Sequence, residues 1–331
     1  MIENILRATD PEEIFGDVKD KDNVIEIFRN IALAVHPDHN KDPQASKAMA
    51  VLNRFKTLAL EKMDKGTWNK RNLITIKSIN EYVDFELWFE SDTANIYKGK
   101  FKGQDTILKI SLEESANIFL TNEFNFLKNG PDRSSPVISR YFMKPLEIFS
   151  IKNPKSLICT SYSFPLNGIR LNDLVKYYDK NPKEVFLERH IVWIWNRLLE
   201  AIDFASTCNL SIYRDYIYIY PKEHGVILLE WGFCLDPNKP IIYRSGSAIY
   251  PGSVKKGYIA NKGIDIYMIA NEIATCGLVK KFNPEILSVI KYCYTQKNNT
   301  LVPRDVMLNL SNQSIKAFGP KKFIPLEIKG I

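Results

Sequence analysis

The sequence is short of the residues that build metal centres and disulfide frameworks. Its five cysteines are scattered, odd in number and without a C-x-x-C pair. They therefore predict neither a disulfide scaffold nor a zinc site, and they favour a reducing compartment. The four histidines suggest no metal site either.

Long apolar runs are also missing. No run approaches the roughly eighteen residues needed to cross a bilayer. The first ten residues, MIENILRATD, lack the basic-then-apolar order of a signal peptide. These absences predict a soluble, cytoplasmic protein without membrane contact.

The chain has 331 residues, 45% of them hydrophobic and 25% charged, which excludes disordered and collagen-like classes and is long enough for two domains. The formal net charge of +7 is unevenly spread. Residues 1–70 carry 11 basic and 12 acidic side chains, net −1, whereas residues 279–331 carry nine basic and three acidic, net +6. The excess is mild for this length, and we expect no nucleic-acid partner.

The first 65 residues read as helical. Apolar residues recur at steps of three and four in 24–35 and again in 48–59. Between these stretches Pro37 forbids a continuous helix, so the first helix must end near Val35 and the second must start near Gln44.

The pattern changes from about Leu73 onwards. Short runs rich in β-branched and aromatic residues (LITIKS, FELWF, NIYKGKF, TILKIS) predict strands. A helical pattern over 185–207, the runs YIYIY and GVILLEW, and helices over 265–276 and 284–295 follow. Tyrosines alternating through YIYIY indicate a strand with one buried face rather than a base-stacking platform. The fold class is therefore α+β, with an all-α N-terminal hairpin.

The tripeptide His36-Pro37-Asp38 lies between the two predicted helices. Together with ATDPEEIFG, VIEIFRNIALAVHPDHN and ASKAMAVLNRFKTLALEKM, it resembles the J domain of the DnaJ co-chaperone family. The resemblance implies that the tripeptide contacts a DnaK-type chaperone ATPase and helps to trigger its ATP hydrolysis. The family's second helix offers a basic face to that partner, and here Arg29 is the one basic residue between Val24 and Val35, opposed by Glu26. The alternative is a purely structural hairpin in which His36 caps a turn.

The remainder of the chain resembles, more distantly, the protein-kinase fold. In TILKI, Lys109 matches the lysine that holds ATP phosphates, and Glu123 matches the helix glutamate that pairs with it. Glu230-Trp231-Gly232 stands where the family has the metal-binding Asp-Phe-Gly. Asp265, in GIDIYMIANEI, matches a structural aspartate that braces the catalytic loop.

The catalytic loop of that family is degenerate in this sequence. Ser211 takes the position of the base and Tyr216 that of the metal-binding Asn, while DTANIYKGKFKG contains no G-x-G-x-x-G. The triplet Tyr213-Arg214-Asp215 imitates the catalytic motif but lies too close to Glu230. We therefore expect a pseudokinase with no confident catalytic residue. Lys109, Glu123 and Glu230 either still hold ATP and Mg²⁺ or simply tie a strand to a helix.

These resemblances predict a J domain over 1–66, a short boundary over 67–72 and a kinase-like domain over 73–331. The latter divides into an N-lobe (73–162) and a C-lobe (163–331). Such fusions resemble J-domain proteins with kinase-like C-terminal regions from bacteria and large phages. A viral source would make the location the host cytoplasm.

The leading functional hypothesis is a co-chaperone or adaptor. Its J domain would recruit a DnaK-type ATPase, and its pseudokinase would bind an unknown protein client. One alternative is an atypical kinase that uses Lys109, Glu230 and a displaced carboxylate such as Asp215. Another is a structural or nucleic-acid-associated module based on the basic C-terminus.

Overall fold

The chain forms two compact units, Met1–Ile74 and Thr75–Ile331, in a mixed α and β architecture. The computed structural model describes residues 1–8, 10–16, 18–64, 68, 73–77, 82–129, 140–152, 155–295, 301–322 and 324–328. The predicted boundary at 67–72 lies outside these residues apart from Trp68.

Four helices make up the regular structure of the first unit up to Asp64, and a strand begins at Leu73. Its helices are α1 (Ile2–Arg7), α2 (Glu12–Phe15), α3 (Lys21–Val35) and α4 (Ala45–Asp64). Asp20 caps α3 by accepting a 2.9 Å hydrogen bond from the backbone N–H of Asn23. Lys21 at the start of α3 donates to Asp64 at the end of α4, so these two helices run antiparallel. The predicted helix end near Val35 and start near Gln44 are confirmed.

The core of the first unit lies between α3 and α4. Val24 and Val35 on α3 and Leu52 and Phe55 on α4 are fully buried. Val24 and Val35 are eleven residues apart, about three helical turns, and Leu52 and Phe55 are three apart, so each pair lies on one face of its helix. Lys62 adds ion pairs to Asp10 at 2.9 Å and to Glu12 at 2.8 Å.

The second unit begins with a six-stranded sheet in the order β1-β2-β3-β4-β6-β5. The strands are β1 (Leu73–Lys77), β2 (Tyr82–Glu90), β3 (Ala94–Phe101), β4 (Gln104–Ser111), β5 (Lys144–Lys152) and β6 (Ser156–Ser163). The pairs β2–β3, β3–β4, β4–β6 and β5–β6 are antiparallel. Helix α5 (Asn117–Asn129) follows a single 3₁₀ turn (Glu114–Ala116) and contacts β4, β5 and β6.

The remainder of the second unit is mostly helical. A small antiparallel sheet contains β7 (Ile169–Arg170), β8 (Ile217–Tyr220) and β9 (Gly225–Leu228). The helices are α6 (Leu171–Lys180), α7 (Glu188–Phe204), α8 (Lys262–Thr275), α9 (Pro284–Thr295) and α10 (Pro303–Phe318). Helix α8 is buried along most of its length, and α7 contacts both α8 and α10. None of the helices in the described ranges is both long and apolar enough to cross a membrane.

The prediction of a one-sided strand for YIYIY is wrong. Tyr216, Tyr218 and Tyr220 are buried, but Ile217 and Ile219 on the opposite face are fully buried as well. Neighbours cover both faces of the strand, because it lies inside the second unit and not at its surface. A strand that is buried on both faces has a continuous run of apolar residues in its sequence. The alternating tyrosines in YIYIY made this run look like a strand with one buried face.

Candidate functional site

The turn after α3 presents the His36-Pro37-Asp38 tripeptide. His36 leaves the helix with an extended backbone (φ −61°, ψ 132°), and its carbonyl oxygen accepts hydrogen bonds from the N–H groups of His39 (3.0 Å) and Asn40 (2.8 Å). The backbone N–H of Asp38 donates to Nδ1 of His36 at 3.2 Å. The Asn40 amide donates back to the carbonyl oxygen of Ala34 at 2.9 Å. The turn is therefore tied to the end of α3 by its own hydrogen bonds.

The side chains of this turn are accessible. That of Asp38 is 76% exposed and that of His36 is 41% exposed, while Pro37 is exposed as well. On the preceding helix Arg29 and Glu26 are both exposed, three residues apart. Leu33 is 69% exposed, one helical turn before the tripeptide. Sequence reasoning did not single out Leu33, although its place off the apolar stripe of α3 was a readable signal.

The second candidate site is a buried charge cluster formed by Lys109 on β4, Glu123 on α5 and Glu230 just after β9. The ammonium of Lys109 lies 2.8 Å from Glu123 Oε1 and 3.7 Å from Glu230 Oε2. It also donates to the carbonyl oxygen of Leu229 at 2.8 Å. All three charged side chains are at most 1% exposed. The structure thus brings together the three residues that the sequence singled out for nucleotide binding.

The backbone after β9 holds the two carboxylates in place. The N–H of Trp231 donates to Glu123 at 2.8 Å, and the N–H of Gly232 donates to Glu230 at 3.3 Å. One ammonium faces two carboxylates, so full ionisation would leave a net negative charge in the interior. Burial raises the pKa of Glu230 to about 7, against the opposing effect of Lys109. Burial therefore favours the protonated form of Glu230, which reduces the excess negative charge of the cluster.

A hydrogen-bond network lies next to this cluster and is centred on Asp92, in the turn between β2 and β3. Its carboxylate accepts hydrogen bonds from the backbone N–H of Ser247 (3.1 Å), from the Ser247 hydroxyl (2.6 Å) and from the Ser245 hydroxyl. Its own backbone N–H donates to the hydroxyl of Tyr216 at 3.1 Å. Ser211 donates to Ser245 at 2.7 Å. We call these five residues, Asp92, Ser211, Tyr216, Ser245 and Ser247, the Asp92 latch.

Aromatic rings fill the space beside the latch. Trp88, near the end of β2, lies with its ring centroid 5.2 Å from that of Tyr218 and 6.1 Å from that of Phe164. The rings of Phe164 and Tyr218 are 5.0 Å apart in an edge-to-face arrangement. The six-stranded sheet is therefore joined to the helical part of the unit by the rings as well as by the Asp92 latch.

Asp265 on α8 supports the chain that leads into Ser211. It is fully buried and accepts hydrogen bonds from the N–H groups of Asn209 (3.2 Å) and Leu210 (2.7 Å). Asn209 has a φ of 64°, an uncommon conformation for a residue other than glycine, and these bonds hold it there. Burial raises the pKa of Asp265 to about 7, in spite of the nearby Lys262.

Asp215 is the displaced carboxylate considered for an atypical kinase, and its contacts are with residues other than Lys109, Glu123 and Glu230. It accepts a 2.7 Å hydrogen bond from Asn172 and lies 4.0 Å from Arg170. Its neighbour Arg214 pairs with Glu272 on α8 at 2.9 Å.

The Asp92 latch contains three residues that sequence reasoning missed, namely Asp92, Ser245 and Ser247. Asp92 and Ser247 are 155 positions apart, so no local pattern connects them. The one available signal was the turn sequence ESDTAN, which carries a carboxylate where the kinase family has glycines.

No protein-family model matches this sequence, and no curated protein matches it. Among the described residues, no group of three or more His, Cys, Asp or Glu side chains could hold a metal ion.

Proposed function

We propose that this protein is an adaptor of the co-chaperone type. Its first unit acts as a J domain that engages a DnaK-type ATPase, and its second unit acts as a kinase-like scaffold that performs no phosphoryl transfer and binds a client protein. The observation that carries the proposal is the accessible His36-Pro37-Asp38 turn between two antiparallel helices.

The turn supports this role through its preorganisation. Recognition residues that are already ordered lose less conformational entropy when a partner binds. The hydrogen bonds from Asp38, His39 and Asn40 to His36 restrain the backbone, while the side chains of His36 and Asp38 remain exposed. The exposed side chains of Pro37 and Asp38 are accessible to a partner.

In the second unit, Lys109 pairs with Glu123 from α5, a pairing that the resemblance to kinases implied. This pairing supports the proposal that the unit is a kinase-like scaffold. A lysine ammonium has three N–H donors. The ammonium of Lys109 donates hydrogen bonds to Glu123 and to the carbonyl oxygen of Leu229, the Glu230 carboxylate lies 3.7 Å away, and the side chain is fully buried, so it does not face a phosphate. The residues present do not fit ATP in this arrangement.

The residues at the degenerate catalytic positions also argue against phosphoryl transfer. Ser211 hydrogen-bonds Ser245 and offers no base to a substrate hydroxyl, and Tyr216 bonds the backbone of Asp92 where a metal ligand would stand. Phosphoryl transfer depends on charge neutralisation and positioning around the phosphates. The Asp92 latch supplies neither, and Asp215 is engaged by Asn172 away from Lys109. The alternative of an atypical kinase therefore has no support in these contacts.

The test is the steady-state ATPase rate of a DnaK-type chaperone with the full chain added. We expect stimulation by the wild type and its loss in His36→Gln. His39→Gln is the matched control, because His39 is an exposed histidine in the same turn. An absence of stimulation by the wild type, or equal stimulation by all three proteins, would refute the J-domain role.

A further inference from the structure

Helices α7 and α10 border an open groove of about 540 Å³ in the second unit. They run antiparallel, because Arg304 at the start of α10 pairs with Asp203 at the end of α7 at 2.8 Å, while Arg189 at the start of α7 donates to the carbonyl oxygen of Phe318. The lining positions on each helix recur at steps of three and four residues, so each helix contributes one continuous ridge.

The floor of the groove is apolar and partly open. Trp193 of α7 and Met307, Leu308 and Ile315 of α10 contribute to it. Leu308 is 63% exposed and Ile315 is 45% exposed, which is high for large aliphatic side chains. The lining part of α10 runs from Met307 to Phe318, a length of about 16 Å or three helical turns.

The rim of the groove is basic. Four cationic side chains line it, namely Arg189, Arg197, Lys321 and Lys322. Glu200 is the only acidic lining residue in the described chain, and it pairs with Arg197 at 2.6 Å. Arg189, Lys321 and Lys322 come from the start of α7 and the stretch just after α10, so the positive charge is concentrated at one end of the groove.

We propose that this groove binds an amphipathic, acidic α-helix of a partner protein. Two parallel ridges with an apolar floor accept a third helix, whose apolar side chains at i, i+3 or i+4, and i+7 lie between them. The basic end, with Arg189, Lys321 and Lys322, selects a helix with Asp or Glu at the matching end by charge complementarity. The groove is concave, whereas an amphipathic surface that enters a membrane interface must project into it. A protein helix therefore fits better than a lipid surface.

The proposal does not rest on the J-domain role of the first unit. The probe is a fluorescein-labelled 18-residue helical peptide with a leucine stripe at steps of three and four and glutamates on its flanks. Fluorescence anisotropy with the full chain measures its affinity. We expect Lys321→Glu/Lys322→Glu to weaken binding at least tenfold and Leu308→Asp to do the same. Both changes fall on exposed side chains, and thermal unfolding curves check that each variant is folded.

The matched control is Lys255→Glu/Lys256→Glu, the same charge change on two exposed lysines in another loop. It and His36→Gln should leave peptide affinity unchanged, which separates this proposal from the chaperone role. A peptide with lysines in place of the glutamates should bind at least tenfold more weakly. The proposal is overturned if the glutamate peptide does not bind, if both double variants lose affinity equally, or if the lysine peptide binds as tightly. Co-sedimentation with phosphatidylserine vesicles that depends on Lys321 and Lys322, without peptide binding, would overturn it in favour of a lipid surface.

Discussion

Replacing Lys109 with methionine should destabilise the second unit rather than remove a ligand contact. The lysine is fully buried between Glu123 and Glu230, and it is the one cation that the structure gives these carboxylates within 4 Å. Methionine has a similar length but no charge, so the change leaves two carboxylates and the carbonyl oxygen of Leu229 in the interior without their donor.

Breaking a buried ion pair by removing one partner costs about 3 to 5 kcal/mol, because an uncompensated charge stays behind. For a unit of this size, 1 kcal/mol corresponds to roughly 2 to 4 °C in Tm, so we expect a fall of roughly 6 to 20 °C. The loss should shrink as the pH falls below about 7, because burial raises the pKa of Glu230 and its protonation removes one of the stranded charges.

Urea unfolding followed by tryptophan fluorescence is the direct assay. Four of the five tryptophans lie in the second unit, and Trp231 donates its backbone N–H to Glu123. Lys100→Met on the adjacent strand β3 is the matched control, because the Lys100 side chain is 70% exposed, and it should change stability by less than about 1 kcal/mol. The triple variant Lys109→Met/Glu123→Gln/Glu230→Gln should be more stable than Lys109→Met, since it leaves no charge unpaired.

The structural role of Lys109 is refuted if Lys109→Met has an unfolding free energy within about 1 kcal/mol of that of the wild type. It is also refuted if Mg-ATP raises the Tm of the wild type and Lys109→Met abolishes that rise, because the lysine would then face an open nucleotide site.

Three further outcomes follow from the second unit. Asp92→Ala should lower the unfolding free energy of the second unit by about 2 kcal/mol, the typical contribution of a hydrogen bond to a charged group. It should also speed hydrogen exchange of the Ser247 amide, which donates to Asp92. An unchanged exchange rate would contradict the Asp92 latch. The folded-state pKa of Asp265 is raised from 3.8 to about 7, so its stabilising effect is fully present below pH 3.8 and is lost as the pH rises through 7. The stability of the wild type relative to Asp265→Asn, from urea midpoints, should therefore fall by about 4 kcal/mol between pH 4 and 8, and a constant difference would contradict the shift. All five cysteines are buried, and burial raises their thiol pKa values. A disulfide thiol reagent should therefore label them slowly in the native chain and should label all five after unfolding. Rapid labelling of the native chain would contradict this prediction.

Several elements could be read correctly because their causes are local. Pro37 cannot continue a helix, and α3 ends at Val35 as expected. Apolar steps of three and four placed α7, α8 and α9 within a few residues of their observed bounds. The resemblance to protein kinases, and not a local pattern, implied the pairing of Lys109 with Glu123.

Other features have no local cause. The alternation in YIYIY indicates one buried face, yet Ile217 and Ile219 are as buried as the tyrosines because the rest of the unit closes over both sides. The groove between α7 and α10 exists only because two helices that lie 99 positions apart at their nearest chain ends pack side by side.

The local sequence sets roughly where most helices and strands lie, since backbone sterics and hydrophobic period act over a few residues. Only the tertiary structure decided that Lys109, Glu123 and Glu230 are sealed from water, and that Asp92 bonds Ser247 across 155 positions. Burial and long-range hydrogen bonds depend on how whole elements pack, and the same lysine in an open cleft would have the same sequence around it. Packing therefore decides whether this cluster of charges holds a ligand or holds the protein together.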